Sequence, residues 1–206
     1  MKDEFRLNLI KKLGTNDLKK IERVRVGIAG AGGLGSNCAA SLARTGFKKL
    51  TIADFDFVEP SNLDRQFYFK DQVGKKKVDA LKINLLRINP RLNLKMIHKK
   101  IGFENAGILF KDCDIVVECF DRAEYKSMFI RELLGSGKFI VSASGLGGIG
   151  LSDQIKIHRV KKNLVIIGDL KSDICTLPAL SPRVNVAAAK QADVVLEYVI
   201  KNLDGF

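Results

Sequence analysis

The sequence predicts an α/β protein: a Rossmann-like, doubly wound, mostly parallel sheet, with antiparallel strands added at one edge and helices at the N-terminus. Three observations carry this expectation. Strand-like and helix-like segments alternate from residue 1 to 145, the order that builds a parallel sheet with helices on both faces. A glycine-rich stretch, Gly30-Ala31-Gly32-Gly33-Leu34-Gly35, stands between an apolar strand and a helix of small residues. Beyond Gly150 two short strands follow each other directly, as in a hairpin.

The elements are taken in chain order. Amphipathic spacing predicts a helix over Glu4 to Leu13 and a second over Asp17 to Glu22. Val24 to Ala29 is a buried strand that enters the glycine stretch, and a helix runs from Ser36 to Thr45 until Gly46 stops it. Leu50 to Ala53 is the next strand, closed by Asp54. A polar loop extends from Asp54 to Gln72, and loops of that length in α/β proteins usually carry function. Val73 to Ile88 has helical spacing and ends before Pro90. Strands are expected at Leu92 to His98, Ile115 to Val117 and Phe139 to Ala143, with a helix at Ala123 to Leu134. Gly145 to Gly150 is a turn-rich break, Gln154 to His158 and Leu164 to Ile167 form the hairpin, and Asn185 to Lys201 is a closing helix.

With 206 residues, 46% apolar and 28% charged, the chain can bury a sizeable core, and the absence of a linker composition predicts one domain, 1–206. No apolar run reaches the ~18–20 residues of a membrane span. The start, MKDEFRLNLIKKLG, has no apolar core of a secretory signal, so a cytoplasmic, reducing setting is expected. The four cysteines (Cys38, Cys113, Cys119, Cys175) form no C-x-x-C pair, which argues against a zinc ribbon and a disulfide framework. The net charge of +12 attracts nucleic acid, anionic nucleotides or an acidic protein. Its lysines recur as short runs of solvated faces, aromatics are 7% and there is no Trp, so a dedicated nucleic-acid binder is not expected.

The glycine stretch satisfies G-x-G-x-x-G between a strand and a helix, where Gly30, Gly32, Gly33 and Gly35 let phosphates approach backbone N–H groups at a helix N-terminus. Asp54 is placed to accept hydrogen bonds from ribose hydroxyls. This much fits a dinucleotide or ATP equally. The residues beyond the second strand separate them: Asp54-Phe55-Asp56-Phe57, then Asn62-Leu63-Asp64-Arg65-Gln66, then Lys75-Lys76-Lys77. Arg65 and Lys77 suit a triphosphate, whose leaving group develops charge. Asp121, just past the fourth strand, suits Mg²⁺.

Together GAGGLGS, DFDFVEPSNLDRQF, VGKKKVDA, RINP and VECFD resemble the ThiF/MoeB adenylyltransferases, relatives of the ubiquitin-activating enzymes, and most nearly their short ThiF-like branch. The resemblance runs from Val24 to Ser144 and resumes, more loosely, at Leu180 to Tyr198. It implies an ATP-dependent adenylyltransferase that activates the C-terminal glycine carboxylate of a small ubiquitin-like sulfur carrier, of the kind used in thiamine, molybdopterin or cysteine biosynthesis or in tRNA modification, with release of pyrophosphate. Residue by residue it implies Asp54 on the ATP ribose, with Asp56 and Gln66 in the same pocket. It puts Asn62, Arg65 and Lys77 on the phosphates and Asp121 on Mg²⁺. Arg6, on the N-terminal helix, falls where relatives reach an arginine into the partner's site of a homodimer. Residues 1–23 would then be N-terminal helices, 24–145 the nucleotide-binding core and 146–206 the carrier-binding edge with the closing helix. Two departures stand out. The zinc-binding C-x-x-C pairs of larger relatives are missing, so no zinc is expected, and Arg122 stands where an asparagine is usual.

Cys175 lies in the crossover region where several relatives place a thiol for sulfur transfer. That use would involve a sulfur donor protein, and Lys171 and Arg183 are the nearby cations to support a thiolate. Cys38, Cys113 and Cys119 read as core packing, and His98 and His158 as structural or surface residues. Two competing readings share the scaffold: an NAD(P)-dependent oxidoreductase, and a non-enzymatic protein that binds a nucleotide and a partner.

Overall fold

The computed structural model describes residues 3–174 and 176–202. Its helices are α1 (Glu4–Leu13), α2 (Thr15–Arg23), α3 (Gly33–Thr45), α4 (Lys77–Ile88), α5 (Phe103–Leu109), α6 (Ala123–Leu133) and α7 (Ser181–Asn202). Its strands are β1 (Arg25–Ala29), β2 (Lys49–Asp54), β3 (Asn93–His98), β4 (Ile115–Glu118), β5 (Phe139–Ala143), β6 (Lys156–Lys161) and β7 (Leu164–Gly168). They form a seven-stranded sheet of order β3-β2-β1-β4-β5-β7-β6. Every neighbouring pair is parallel except β6 with β7, so β7 joins β5 in parallel and only the edge strand β6 runs against it.

The order reverses between β1 and β4, and in such sheets the crevice beyond the strand ends at this switch point receives the ligand. The central strands are apolar because both faces are covered: β4 and β5 are buried at every position. One core lies under α3, α4 and α7, with Leu42, Phe47, Ile52, Leu81, Val141 and Val195 fully or almost fully buried. A second, built on Phe110, Val116, Phe129 and Ile140, lies under α5 and α6.

Three expectations needed correction. The helix expected over 73–88 starts at Lys77. Gly74 adopts φ +86°, its N–H bonds to the Val58 carbonyl, and Val58 bonds to Lys75, so residues 73–76 pair with 57–58. The glycine-loop helix begins at Gly33, not Ser36, because Ser36 already donates its backbone N–H back to Gly32. The seven-residue helix α5 fills a stretch where no element was expected. Ala106 is its one buried residue among those described, so it has no apolar stripe to read.

Candidate nucleotide site

The turn between β1 and α3 is shaped by close backbone approaches. Gly30 has φ +100°, and a Cβ there would lie 3.0 Å from the Cys119 carbonyl oxygen. A Cβ on Gly35 would overlap the Gly30 carbonyl, so only glycine lets the first turn of α3 fold over the loop. Gly32 caps α3 without a side-chain hydrogen bond. That leaves helix N–H groups available to an anion, at the positive end of a 13-residue helix.

Three side chains staple the segment 65–68 onto this turn. Ser36 donates to the Gly32 carbonyl (2.7 Å) and accepts the Phe67 N–H (2.9 Å). Asn37 donates to the carbonyls of Gly33 (2.7 Å) and Arg65 (2.9 Å). Tyr68 donates its hydroxyl to the Ala31 carbonyl (2.7 Å). Sequence reasoning assigned none of these roles, although Ser36 stands in GAGGLGS and the i+4 spacing from Gly32 is a readable signal. The result is that Arg65 packs beside Gly33 and Gln66 beside Gly32. Gln66 Oε1 is buried and accepts no hydrogen bond, unlike every other buried side-chain nitrogen or oxygen among the described residues. An orphan acceptor of this kind costs about 1–3 kcal/mol until a water or a ligand donates to it.

Asp54 ends β2 and is 8% exposed. Its Oδ2 accepts the Ala31 N–H (2.6 Å) and its Oδ1 the Asp56 N–H (2.7 Å). A carboxylate offers about four acceptor positions, so room remains for ribose hydroxyls. Burial pushes the Asp54 pKa up, against those two N–H bonds and the charge of Lys77. Lys77, first residue of α4, is itself buried, and its ammonium lies 2.9 Å from Asp56 Oδ2. Asp56 is half-exposed, so this pair sits at the mouth of the site. Lys75 and Lys76 are exposed.

The other candidates divide. Arg65 is held by Asp64 (2.6 Å) and the Ser61 carbonyl (2.9 Å), with its side chain 29% exposed. Asn62 is buried and accepts the Glu59 N–H, which shapes the 59–62 turn. Asp121 and Arg122 are exposed on the turn after β4. Arg6 is not at its own chain's glycine turn. It bonds to Glu22 (2.7 and 3.1 Å) and lines a small recess with Gly46 and Lys48, at the far end of α3, about 20 Å of helix away.

The cysteines offer no described nucleophile. Burial pushes the Cys38 thiol up to about 12, and likewise raises Cys113 and Cys119. Cys175 lies outside the described residues. Arg183, expected as thiolate support, is buried among polar partners. It binds Asp169 (2.7 Å) and the carbonyls of Leu146, Gly150 and Leu151, and so pins the 145–151 loop to the β7 exit. His98 packs edge-on against Phe57, and His158 bonds to the Gly168 carbonyl.

The donor set fits a nucleotide that brings its own Mg²⁺. Among the described residues no three His, Cys, Asp or Glu side chains group as a metal cage. Magnesium needs only one or two carboxylates when phosphates supply the rest, and Asp121 is an available one.

Comparisons with known proteins agree with this geometry. The profile described as "ThiF family" matches residues 5–197. The molybdopterin-synthase adenylyltransferase of Haemophilus influenzae is 32% identical over 174 residues, 82% of this chain and 70% of that protein. The adenylyltransferase and sulfurtransferase UBA4 of Candida glabrata is 36% identical over 132 residues, 64% of this chain. The chain spans only 30% of that relative's length. Among solved structures, E. coli tRNA N6-threonylcarbamoyladenosine dehydratase, TcdA, in complex with AMP, superposes with a TM-score of 0.86 at 19% identity, covering 97% of this chain and 96% of that one. E. coli MccB with AMPCPP and MccA superposes at 0.74 and 21% identity, covering 98% of this chain and 64% of that one. At these identities the two structures establish the shared fold.

Proposed function

The chain belongs to the ThiF family, and from that premise we propose that it is an ATP-dependent adenylyltransferase acting on the C-terminal glycine carboxylate of a small ubiquitin-like sulfur carrier. The observation that carries the reading is the stapled cationic segment. Ser36, Asn37 and Tyr68 fix residues 65–68 on the glycine turn, with the Gln66 side chain beside Gly32 and its oxygen unpartnered. A triphosphate, which carries more charge than a dinucleotide and loses an anionic leaving group, gains more from Arg65 and a buried Lys77 there than a hydride-transfer site does. The names of the H. influenzae and C. glabrata relatives support the same class of reaction.

The chemistry asks little of acid–base groups. A carboxylate oxygen attacks the α-phosphorus, the bond to the bridging oxygen breaks, and pyrophosphate leaves with the electron pair. The nucleophile is already ionised at neutral pH, so orientation and charge stabilisation suffice. Asp54 orients the ribose, the N-terminus of α3 and Arg65 receive the phosphates, and Lys77 balances charge at the mouth. Asp121 would hold Mg²⁺, which screens the phosphate charge. The protein would act as a homodimer, with Arg6 of one subunit completing the partner's site.

The test is ATP–pyrophosphate exchange with candidate carriers, alongside calorimetric titration of ATP, NAD(H) and NADP(H). Exchange that depends on a carrier's intact C-terminus supports the reading; binding of a nicotinamide nucleotide in place of ATP ends it. One observation favours a second substrate for the same step. The net charge of +12 suits a carboxylate carried on nucleic acid, such as the threonylcarbamoyladenosine named for TcdA. Exchange stimulated by tRNA and not by carriers would select it.

A further inference from the structure

Glu118 is a wholly buried carboxylate at the sheet's switch point, and nothing in the reaction described above uses it. Its Oε1 accepts the backbone N–H of Phe120 (2.6 Å) and the ammonium of Lys126 (3.0 Å). Its Oε2 accepts the Ser142 hydroxyl from β5 (2.5 Å) and Lys126 again (3.3 Å). The Glu118 carbonyl accepts Gln191 Nε2 from α7 (3.1 Å). One side chain therefore joins β4, β5 and α6, and bends the chain sharply at Cys119-Phe120, immediately before Asp121.

That bend touches the site on two sides. A Cβ on Gly30 would lie 3.0 Å from the Cys119 carbonyl oxygen, so the turn packs closely against the glycine loop. Phe120 packs against Phe129 and Tyr125 of α6, which fixes the direction in which Asp121 leaves the sheet. A buried ion pair is a poor device for stability, since apolar side chains of similar volume usually serve as well or better. Its presence here needs another reason.

We propose that Glu118 is a positioning residue: with Lys126 and Ser142 it holds the Phe120–Asp121 turn in the shape that presents the Asp121 carboxylate to nucleotide-bound magnesium. The proposal rests on the ATP·Mg²⁺ reading of the site. It concerns the affinity gained from the metal, not attachment of the nucleotide itself, which Asp54 and the glycine turn provide.

The experiment compares wild type, Asp121→Ala and the triple variant Glu118→Leu/Lys126→Met/Ser142→Ala, in which an apolar cluster replaces the polar one. Thermal unfolding reports the fold, and calorimetry gives ATP affinity with and without Mg²⁺. Wild type binds ATP more tightly with Mg²⁺, and Asp121→Ala loses that gain. The triple variant unfolds at a midpoint close to wild type and keeps Mg²⁺-free affinity within about twofold. It loses about tenfold or more of the magnesium gain, the scale for removing a group that orients a metal ligand. A triple variant that retains the whole gain overturns the proposal, because the network then only packs. If the triple variant does not fold, Glu118→Gln takes its place. Its amide cannot accept from Phe120, Lys126 and Ser142 together, so part of the gain is lost, and an undiminished gain again overturns the proposal. Wild type that binds no ATP, or binds it indifferently to Mg²⁺, removes the functional reading first, and this proposal with it.

Discussion

Replacing Lys77 by Met removes one ammonium and keeps most of the buried stem at the start of α4. This has two costs, and the structure separates them. The first is stability. Lys77 is buried, but its partner Asp56 is 46% exposed and can rehydrate, so the lost ion pair is worth no more than about 1 kcal/mol. The second is catalysis. A cation held 2.9 Å from Asp56 at the mouth of the site needs no reorganisation as charge moves onto pyrophosphate. Losing one such preorganised group costs about 2.7–4 kcal/mol at the transition state, or 10²–10³ in turnover. Lys76→Met and Lys75→Met serve as controls, because both side chains are exposed neighbours on the same turn. The assay is ATP–pyrophosphate exchange beside thermal unfolding of each variant. We expect Lys77→Met to lose at least a hundredfold with a small shift in melting, and both controls to stay within about threefold. Equal losses at all three lysines would show that diffuse positive charge, not a placed ammonium, is used. Full activity in Lys77→Met would remove it from the site altogether.

Asp121→Ala is expected to lower exchange far more than it weakens Mg²⁺-free ATP binding; near-wild-type exchange would end its assignment to the metal. Asp54 gives a pH dependence. Burial raises its pKa, against the Ala31 and Asp56 N–H bonds and the charge of Lys77. The protonated form is thus favoured in the folded chain, so this contribution to stability is complete below the unfolded pKa and is lost as pH rises through the raised value. Nucleotide affinity runs oppositely, since only the ionised carboxylate accepts two ribose hydroxyls: it falls as pH drops through the raised value, and Asp54→Asn removes the titration. A wild-type affinity that holds down to about pH 4 would refute this, because ordinary carboxylates titrate there. Finally, mixing inactive Arg6→Ala and Lys77→Ala dimers should restore activity if Arg6 works in trans, since one site of each mixed dimer is then intact. No recovery after confirmed subunit exchange would leave Arg6 as the Glu22 partner seen within the chain.

The glycine turn and its flanking strand and helix were legible because their signals are local: small residues at fixed offsets between an apolar strand and a helix. The burial of Lys77 was not. Residues 73–76 carry helical spacing, and only their pairing with 57–58 across the loop moves the start of α4 to the lysine. Glu118 was visible in the VECFD stretch, yet its role depends on Lys126 and Ser142, which reach it from other elements. Arg183 is a further case: its bonds to Asp169 and three carbonyls join segments that sequence spacing does not bring together.

The packing of α7 on α3 has a consequence for the order in which the chain matures during synthesis. A Cβ on Gly33 would meet Val184, and Gln191 bonds at the end of β4, so the last described helix closes the floor of the glycine turn. Gly33 and Val184 stand 151 residues apart and Glu118 and Gln191 stand 73 apart, spans whose closure entropy must be met before these contacts form. The nascent N-terminal half can assemble β1, β2 and the helices around them. The small-residue face of α3 (Cys38, Ala39, Leu42, Ala43) nonetheless stays uncovered until α7 leaves the ribosome. The hydrogen bonds that staple the glycine turn lie within residues 31–68, so what α7 adds on emerging is cover for this face of α3 and not the turn itself.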